Sequence, residues 1–276
     1  MKNYKYILLL FLFCCTSLAL TAQQKKIVIL HTSDTHSQLE PVDQTSDRDF
    51  GKGGTVRRTV LLNKLRKENP KLLLFDCGDF SQGTPYYNLF KGDAEIDMMN
   101  FMKYDAVMIG NHEFDFGLDN MARLFKRAKF PIVCSNYDLQ GSVLEKLVKT
   151  YLVIVRDGVR IGVFGLGPKL EGLVQAKNYG SLKYEDPLTV SDKMVTVLRD
   201  KEKCDLIICL SHLGIDEDKI FIPQSHGIDV VLGGHSHTFL KTPLFITGKD
   251  GKKVILLHSG RKGVEVGEVN VLLKAK

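Results

Sequence analysis

Short apolar runs recur along the chain, and most of them end in a polar loop that contains glycine. Residues 27–30, 72–75, 106–109, 205–210 and 228–232 are such runs, of the length and continuity that buried strands show. Between them, apolar positions recur at helical spacing. Val56, Val60, Leu61 and Leu65 form one stripe that Pro70 terminates, and Ile96 and Met99 belong to another within 93–104. A helix is also predicted over 119–128. Asp186 and Pro187 supply an N-cap and a first-turn proline ahead of Val190, Met194, Val197 and Leu198. Residues 151–155 and 159–164 flank Asp157-Gly158, a hairpin signal. Residues 131–135, 254–257 and 264–273 read as further strands, the last alternating apolar with polar positions. Residues 43–54, 141–150 and 166–186 read as loop or irregular structure. Strands alternating with helices, plus one hairpin, predict an α/β fold without internal repeats.

The amino terminus stands apart from this pattern. Lys2 and Lys5 precede an apolar run over 7–20, and polar residues follow Ala22. That order predicts a secretory signal peptide over 1–22, cleaved after Ala22. The run falls short of the roughly 20 apolar residues that span a bilayer. Lipidation at Cys15 is the lesser alternative, because Phe13 and Cys14 are poor small-residue matches before it. Residues 23–276 then form a single domain, exported to the periplasm or secreted, and no later segment is apolar for long enough to span a membrane.

Charge changes the picture little. The formal net charge is +6, two of its cations lie in the leader, and the rest are scattered among acids. Such a balance reads as a solvated surface with a modest attraction for anions, not as a nucleic-acid footprint. Cys77, Cys134, Cys204 and Cys209 remain after the leader, three of them in strand-like runs. Buried free thiols are the favoured reading; a disulfide is the alternative that the spacing does not name.

Candidate chemistry sits in the loops. After the run at 106–109 come Gly110, Asn111, His112, Glu113 and Asp115, four groups able to bind metal or move protons just past a strand. Asp34 and His36 follow the first strand, Asp79 the second, His212 the run at 205–210, and His235 and His237 the run at 228–232. Asp34 with His36 alone reads equally well as a turn. His31, His226 and His258 read as satisfied core or surface residues. Five loops that each follow a strand can converge, because ligands of α/β sheets lie beyond the carboxyl ends of the strands. Oxygen and imidazole donors without thiolate suit Zn, Mn, Fe, Co or Ni, and a shared carboxylate would hold two ions about 3.5–4 Å apart.

The blocks DTH, GDFSQG, GNHEFDFG, SHLG and GGHSHT, in this order, resemble the calcineurin-like dimetal phosphoesterases, and GNHEFDFG resembles their 5'-nucleotidase branch. The resemblance spans about 27–273. It implies a four-layer αββα sandwich of two mixed sheets flanked by helices. It also implies two divalent metal ions, one held by Asp34, His36 and His237, the other by Asn111, His212 and His235, with Asp79 between them. His112 would then act as proton donor or phosphoryl stabiliser, oriented by Asp115, with Asn111 and His112 touching the substrate. The implied reaction is hydrolysis of a phosphate ester, a nucleotide or UDP-sugar, by attack of a metal-bridging hydroxide.

Ser33 and Ser37 depart from the Asn and Gly common in that family. The 5'-nucleotidases also carry a second domain whose aromatic residues stack on the base, and no such C-terminal substrate domain is expected in this chain. Either a separate chain supplies it, or the protein acts alone as a broad phosphomonoesterase or phosphodiesterase. Tyr86, Tyr87 and Phe90 are cleft candidates with core packing as the equal alternative. A non-catalytic metal-binding subunit is the remaining reading.

Overall fold

The computed structural model describes residues 24–43, 45 and 47–273, so the expected leader and Cys15 lie outside the described residues. In chain order, strand β1 (Lys25–Thr32) and helix α1 (Thr55–Glu68) are followed by β2 (Leu73–Asp76), α2 (Pro85–Phe90), α3 (Asp93–Met102) and β3 (Ala106–Met108). Next come α4 (Gly117–Arg127), β4 (Ile132–Val133), β5 (Tyr137–Asp138) and β6 (Val148–Lys149). The hairpin β7 (Tyr151–Arg156) and β8 (Val159–Leu166) leads to α5 (Ala176–Tyr179), β9 (Lys183–Tyr184) and α6 (Pro187–Thr196). The chain ends its described course with β10 (Leu206–Ser211), α7 (Ile215–Phe221), β11 (Val230–Gly233), β12 (Leu244–Thr247), β13 (Lys253–His258) and β14 (Gly267–Leu273).

Two mixed six-stranded sheets form, in the orders β14-β1-β2-β3-β4-β6 and β12-β13-β11-β10-β8-β7. Inner neighbours are parallel, and the antiparallel pairs lie at the edges, where β14 joins β1, β12 joins β13 and β7 joins β8. Period-two alternation explains how both faces of a strand become buried. Along β10, Leu206, Ile208 and Leu210 join the core shared by the two sheets, while Ile207 and Cys209 join an outer core with Val190, Val195 and Leu198 near α6. On the opposite side Ile96, Met99, Met121 and Phe125 bring α3 and α4 onto the first sheet. The result is the expected sandwich, helices outside and two sheets within.

One local expectation is corrected. Val56, Val60 and Leu61 of α1 are exposed, and Leu62 and Arg58 are buried in their place. The helix is basic along most of its length, so its apolar stripe is weak. Leu62 entering the core and the Arg58 guanidinium packing against Gly263 set its rotation instead. The helix α7 and the strand β12 went unread because each is only one or two turns or four residues long. Cys77, Cys134, Cys204 and Cys209 are buried and free.

The two sheets approach closely at Gly165 in β8. A Cβ there would overlap the Met108 sulfur and lie 2.8 Å from the Val133 carbonyl oxygen, both on the other sheet. Gly165→Ala is therefore expected to lower stability by about 1–3 kcal/mol, the usual cost of overpacking. Urea denaturation checks this, and an unchanged midpoint would mean that the sheets separate freely.

Candidate metal centre

Because β1, β2 and β3 are parallel neighbours, the loops that follow them lie side by side. The loops after β10 and β11 do the same on the other sheet. Backbone hydrogen bonds fasten each set. The N–H groups of Asp34, His36 and Ser37 donate to the carbonyls of Gly78, Asp79 and Phe80 at 2.9, 3.0 and 2.9 Å, and Gly234 N–H donates to the Ser211 carbonyl at 2.9 Å. Among the contacts that bridge the sheets, the His235 N–H donates to the Asp34 carboxylate at 2.9 Å.

Five of these side chains are projected from left-handed backbone: Asp34 (φ 50°), His36 (46°), Asp79 (56°), His235 (72°) and His237 (52°). Asp, Asn and His tolerate that region better than other L residues, yet each still carries a conformational cost that its surroundings must outweigh. Glu113 supplies much of the restraint. Its buried carboxylate accepts from the N–H groups of Gly110 (2.6 Å), Asp79 (2.9 Å) and Ser81 (3.1 Å), which ties the β2 and β3 loops together. The His112 N–H in turn donates to Asp79 Oδ1 at 2.8 Å. At Gly110 a Cβ would overlap the Asp79 carboxylate and lie 2.6 Å from its backbone nitrogen, so only glycine admits Asp79 here.

The side chains meet in three overlapping groups, each with donor atoms within 4.8 Å of one another: Asp34, His36 and His237; Asp79, His212 and His235; and His36, Asp79 and His112. His36 Nε2 faces His237 Nε2 at 2.8 Å, and His212 Nε2 lies 3.0 Å from Asp79 Oδ2. His212 Nδ1 is held by the Cys77 carbonyl at 2.5 Å, which fixes the ring. Asn111 is buried at the same loop, with its Oδ1 lacking any donor. His112 Nδ1 lies 3.1 Å from Asp115 Oδ2, and its ring packs edge-on to His36.

The electrostatics follow from crowding such groups out of water. Burial pushes the Asp34 carboxyl up to about 7, against the pull of His212. Burial also works against an ionised Asp79, but His212, His36 and His112 outweigh it and hold that carboxyl well below the usual range. Burial favours neutral His212, and Asp79 with Asp34 overrides it, raising the imidazole to about 10. His36 and His235 fall to about 4, mainly through burial. Two neutral imidazoles face each other, two carboxylates line the same pit, and an amide oxygen lacks a donor. Such an inward-turned set of lone pairs fits divalent cations, which would replace the protons now shared there.

Other groups took different places. His258 Nε2 bonds the Asp218 carboxylate at 2.8 Å, and Ser211 Oγ donates to the other Asp218 oxygen at 2.5 Å, bracing the end of β10 just before His212. His31 is enclosed in the core, and His226 pairs with Asp192 on the surface. Tyr87 is buried against Phe116, whereas Tyr86 and Phe90 stack on each other outside. Glu113, one of the four groups able to bind metal or move protons, is in none of the candidate metal groups and holds backbone N–H groups instead. Its spacing of three residues from the turn glycine is that of a capping box, the one local signal of a carboxylate reaching back to a backbone N–H.

A family model described as calcineurin-like phosphoesterase matches residues 27–239. The chain is similar to the snake venom 5'-nucleotidase of Crotalus adamanteus, with 32% identity over 95% of this chain and 48% of that one. It is similar to the 5'-nucleotidase of Homo sapiens, with 33% identity over 89% of this chain and 46% of that one. Among solved structures, a 5'-nucleotidase precursor from Thermus thermophilus superposes with a TM-score of 0.85 and 33% identity, covering 91% of this chain and 52% of that chain. The chain thus spans about half the length of these three relatives.

Glu113→Ala would leave three buried N–H groups without an acceptor. A loss of about 3 kcal/mol or more is expected, given the usual cost of such orphaned groups. Chemical denaturation measures it, and a loss below about 1 kcal/mol would mean that water replaces the carboxylate.

Proposed function

The chain belongs to the calcineurin-like phosphoesterase family, and from that footing we propose that it hydrolyses phosphate esters of the 5'-nucleotide type at a centre for two divalent cations. The observation that carries this reading is the convergence of two carboxylates and five imidazoles, from loops of two different sheets, in overlapping groups with donor atoms within 4.8 Å. Asp34, His36 and His237 are assigned to one cation, Asn111, His212 and His235 to the other, and Asp79 to both. Two cations bound there would supply a hydroxide nucleophile at neutral pH and neutralise the phosphoryl oxygens for in-line displacement.

The chain's own residues supply the rest. Asp115, against Nδ1 of His112, fixes the ring so that Nε2 is free to carry a proton to the departing alkoxide. Burial disfavours the imidazolium of His112, but Asp115 and Asp79 more than offset it and raise its pKa, which keeps that proton available. Asn111, beside it, would offer its amide to a phosphoryl oxygen. The Cys77 carbonyl and the Glu113 carboxylate hold His212 and Asp79 still while this occurs.

Nucleotides are the substrate class because the relatives named above are 5'-nucleotidases. Export under the leader at 1–22 belongs to the same proposal. A broader phosphomonoesterase activity is the second reading, favoured by an open cleft beside His235.

The test is phosphate release from AMP and from an aryl phosphate with Mn, Zn or Co added. Release is expected to vanish on chelation and in Asp79→Asn. In His112→Ala it should fall about 100-fold, as for loss of a general acid, with metal content by mass spectrometry near wild type. Release that survives chelation would overturn the two-cation reading, and full activity in His112→Ala would remove the proton donor.

A further inference from the structure

The loop after β1 turns through His36 and Ser37, adjacent residues that both hold left-handed backbone, with φ 46° and 54°. Each residue with a Cβ carries a steric cost in that region, and contacts must outweigh it. His36 is placed there against His237, but Ser37 belongs to none of the candidate metal groups. Glycine would make the same turn without the cost. What glycine lacks is the hydroxyl, so the contacts of that hydroxyl are what the strain at Ser37 is spent on.

The buried Ser37 hydroxyl donates to the Glu95 carboxylate, and Thr84 Oγ1 lies 2.7 Å from it. An ionised carboxylate only accepts, so the single hydroxyl proton of Ser37 goes to Glu95. Thr84, the residue that precedes α2, then donates back to Ser37, at its Oγ or at its carbonyl 3.0 Å away. Glu95 stands in the first turn of α3 and is 3% exposed. Among the described residues no Lys or Arg pairs with it, and its Oε2 is buried without a hydrogen-bond partner. A carboxylate so sparsely satisfied is costly to bury. The loop is thus tied to its neighbour after β2 by backbone bonds, and to α2 and α3 by the side chain of Ser37.

We propose that Glu95 is a positioning residue for His36: through the Ser37 hydroxyl, its carboxylate locks the left-handed turn that aims the His36 ring at the cation assigned to Asp34, His36 and His237. This rests on the two-cation reading above. His36 Nε2 stands 2.8 Å from His237 Nε2, a placement that a small rotation of the peptide between residues 36 and 37 would lose. The backbone bonds alone leave that peptide free to rock about them, whereas a hydrogen bond from the next side chain to a buried, immobile acceptor does not. On the other side Gly83 packs so closely that a Cβ there would lie 2.7 Å from the His36 carbonyl oxygen. The group of Asn111, His212 and His235 has no ligand in this loop, so the two cations should respond differently to its loosening.

The experiment takes wild type, Ser37→Gly, Glu95→Ala, Glu95→Gln and the double variant Ser37→Gly with Glu95→Ala. Amide hydrogen exchange at residues 36 and 37 is measured without metal, and calorimetry then follows titration with Mn. Affinity for one of two Mn ions is expected to fall about 10–100-fold in Ser37→Gly and in Glu95→Ala, the usual effect of removing a partner that orients a metal ligand. The other ion should bind as in wild type. Glu95→Gln keeps an oxygen that accepts from Ser37 and should recover most of the loss, and the double variant should lose no more than either single one. Exchange at the two amides should quicken about tenfold alongside. Ser37→Gly relieves backbone strain, so its urea midpoint should equal or exceed that of wild type, which separates positioning from loss of folding. Unchanged Mn affinity in Ser37→Gly, or equal weakening of both ions, would overturn the positioning role and leave the two-cation reading intact. A wild type that binds no Mn would overturn that reading instead. Exchange then decides the role of Glu95: quickening in Ser37→Gly and Glu95→Ala that Glu95→Gln reverses would keep it as the brace of His36, and unchanged exchange would overturn it.

Discussion

Glu113 carries a carboxylate into a place where no water reaches it, and three backbone N–H groups from two loops close around it. Without that acceptor, Asp79 has no reason to keep a left-handed backbone, and the loops after β2 and β3 have no common anchor. Asp79 is also the residue that the other groups answer to. His112 donates its N–H to it, His212 turns Nε2 toward it, and the β1 loop hangs on its carbonyl through His36. A buried anion that only braces loops is thus the condition for a second buried anion that can do chemistry.

The charge distribution makes sense only on those terms. Groups that would each prefer water are packed together, and their protonation states are pulled in opposite directions, Asp34 upward and Asp79 downward, His36 downward and His212 upward. Such an arrangement is costly in an apolar interior unless opposite charges interleave. The left-handed residues add conformational cost at the same positions. Strain of both kinds is concentrated at one rim of the sandwich, while the strands below are ordinary close-packed core. Local geometry at the rim is therefore over-determined by hydrogen bonds to the backbone and by bonds between loops.

Much of this was legible in the residues, for a physical reason. Strand ends announce themselves by a switch from apolar to glycine-rich polar sequence, and Asp34, Asp79, His112, His212 and His235 all sit just past such a switch. What could not be read depends on neighbours far along the chain. The rotation of α1 is set by Leu62 and by Arg58 against Gly263, so the local stripe of Val56, Val60 and Leu61 misled. The brace from Ser211 through Asp218 to His258 joins three separate segments, and none of them carries a local mark. Which sheet each strand joins was likewise invisible in its own pattern, because β2 and β10 are equally apolar.

The pairing of β14 with β1 bears on the order in which this protein can be built. A ribosome releases β1 first and β14 last among the described strands, yet the two are hydrogen-bonded neighbours over their whole length. The Lys262 N–H, just before β14, also holds the Asp34 carbonyl at 2.7 Å. Until those residues emerge, β1 presents a bare edge of unpaired N–H and C=O groups. The nascent chain consequently carries an adhesive flank on β1 until β14 follows it, and the loop after β1 lacks its hydrogen bond from Lys262 until then.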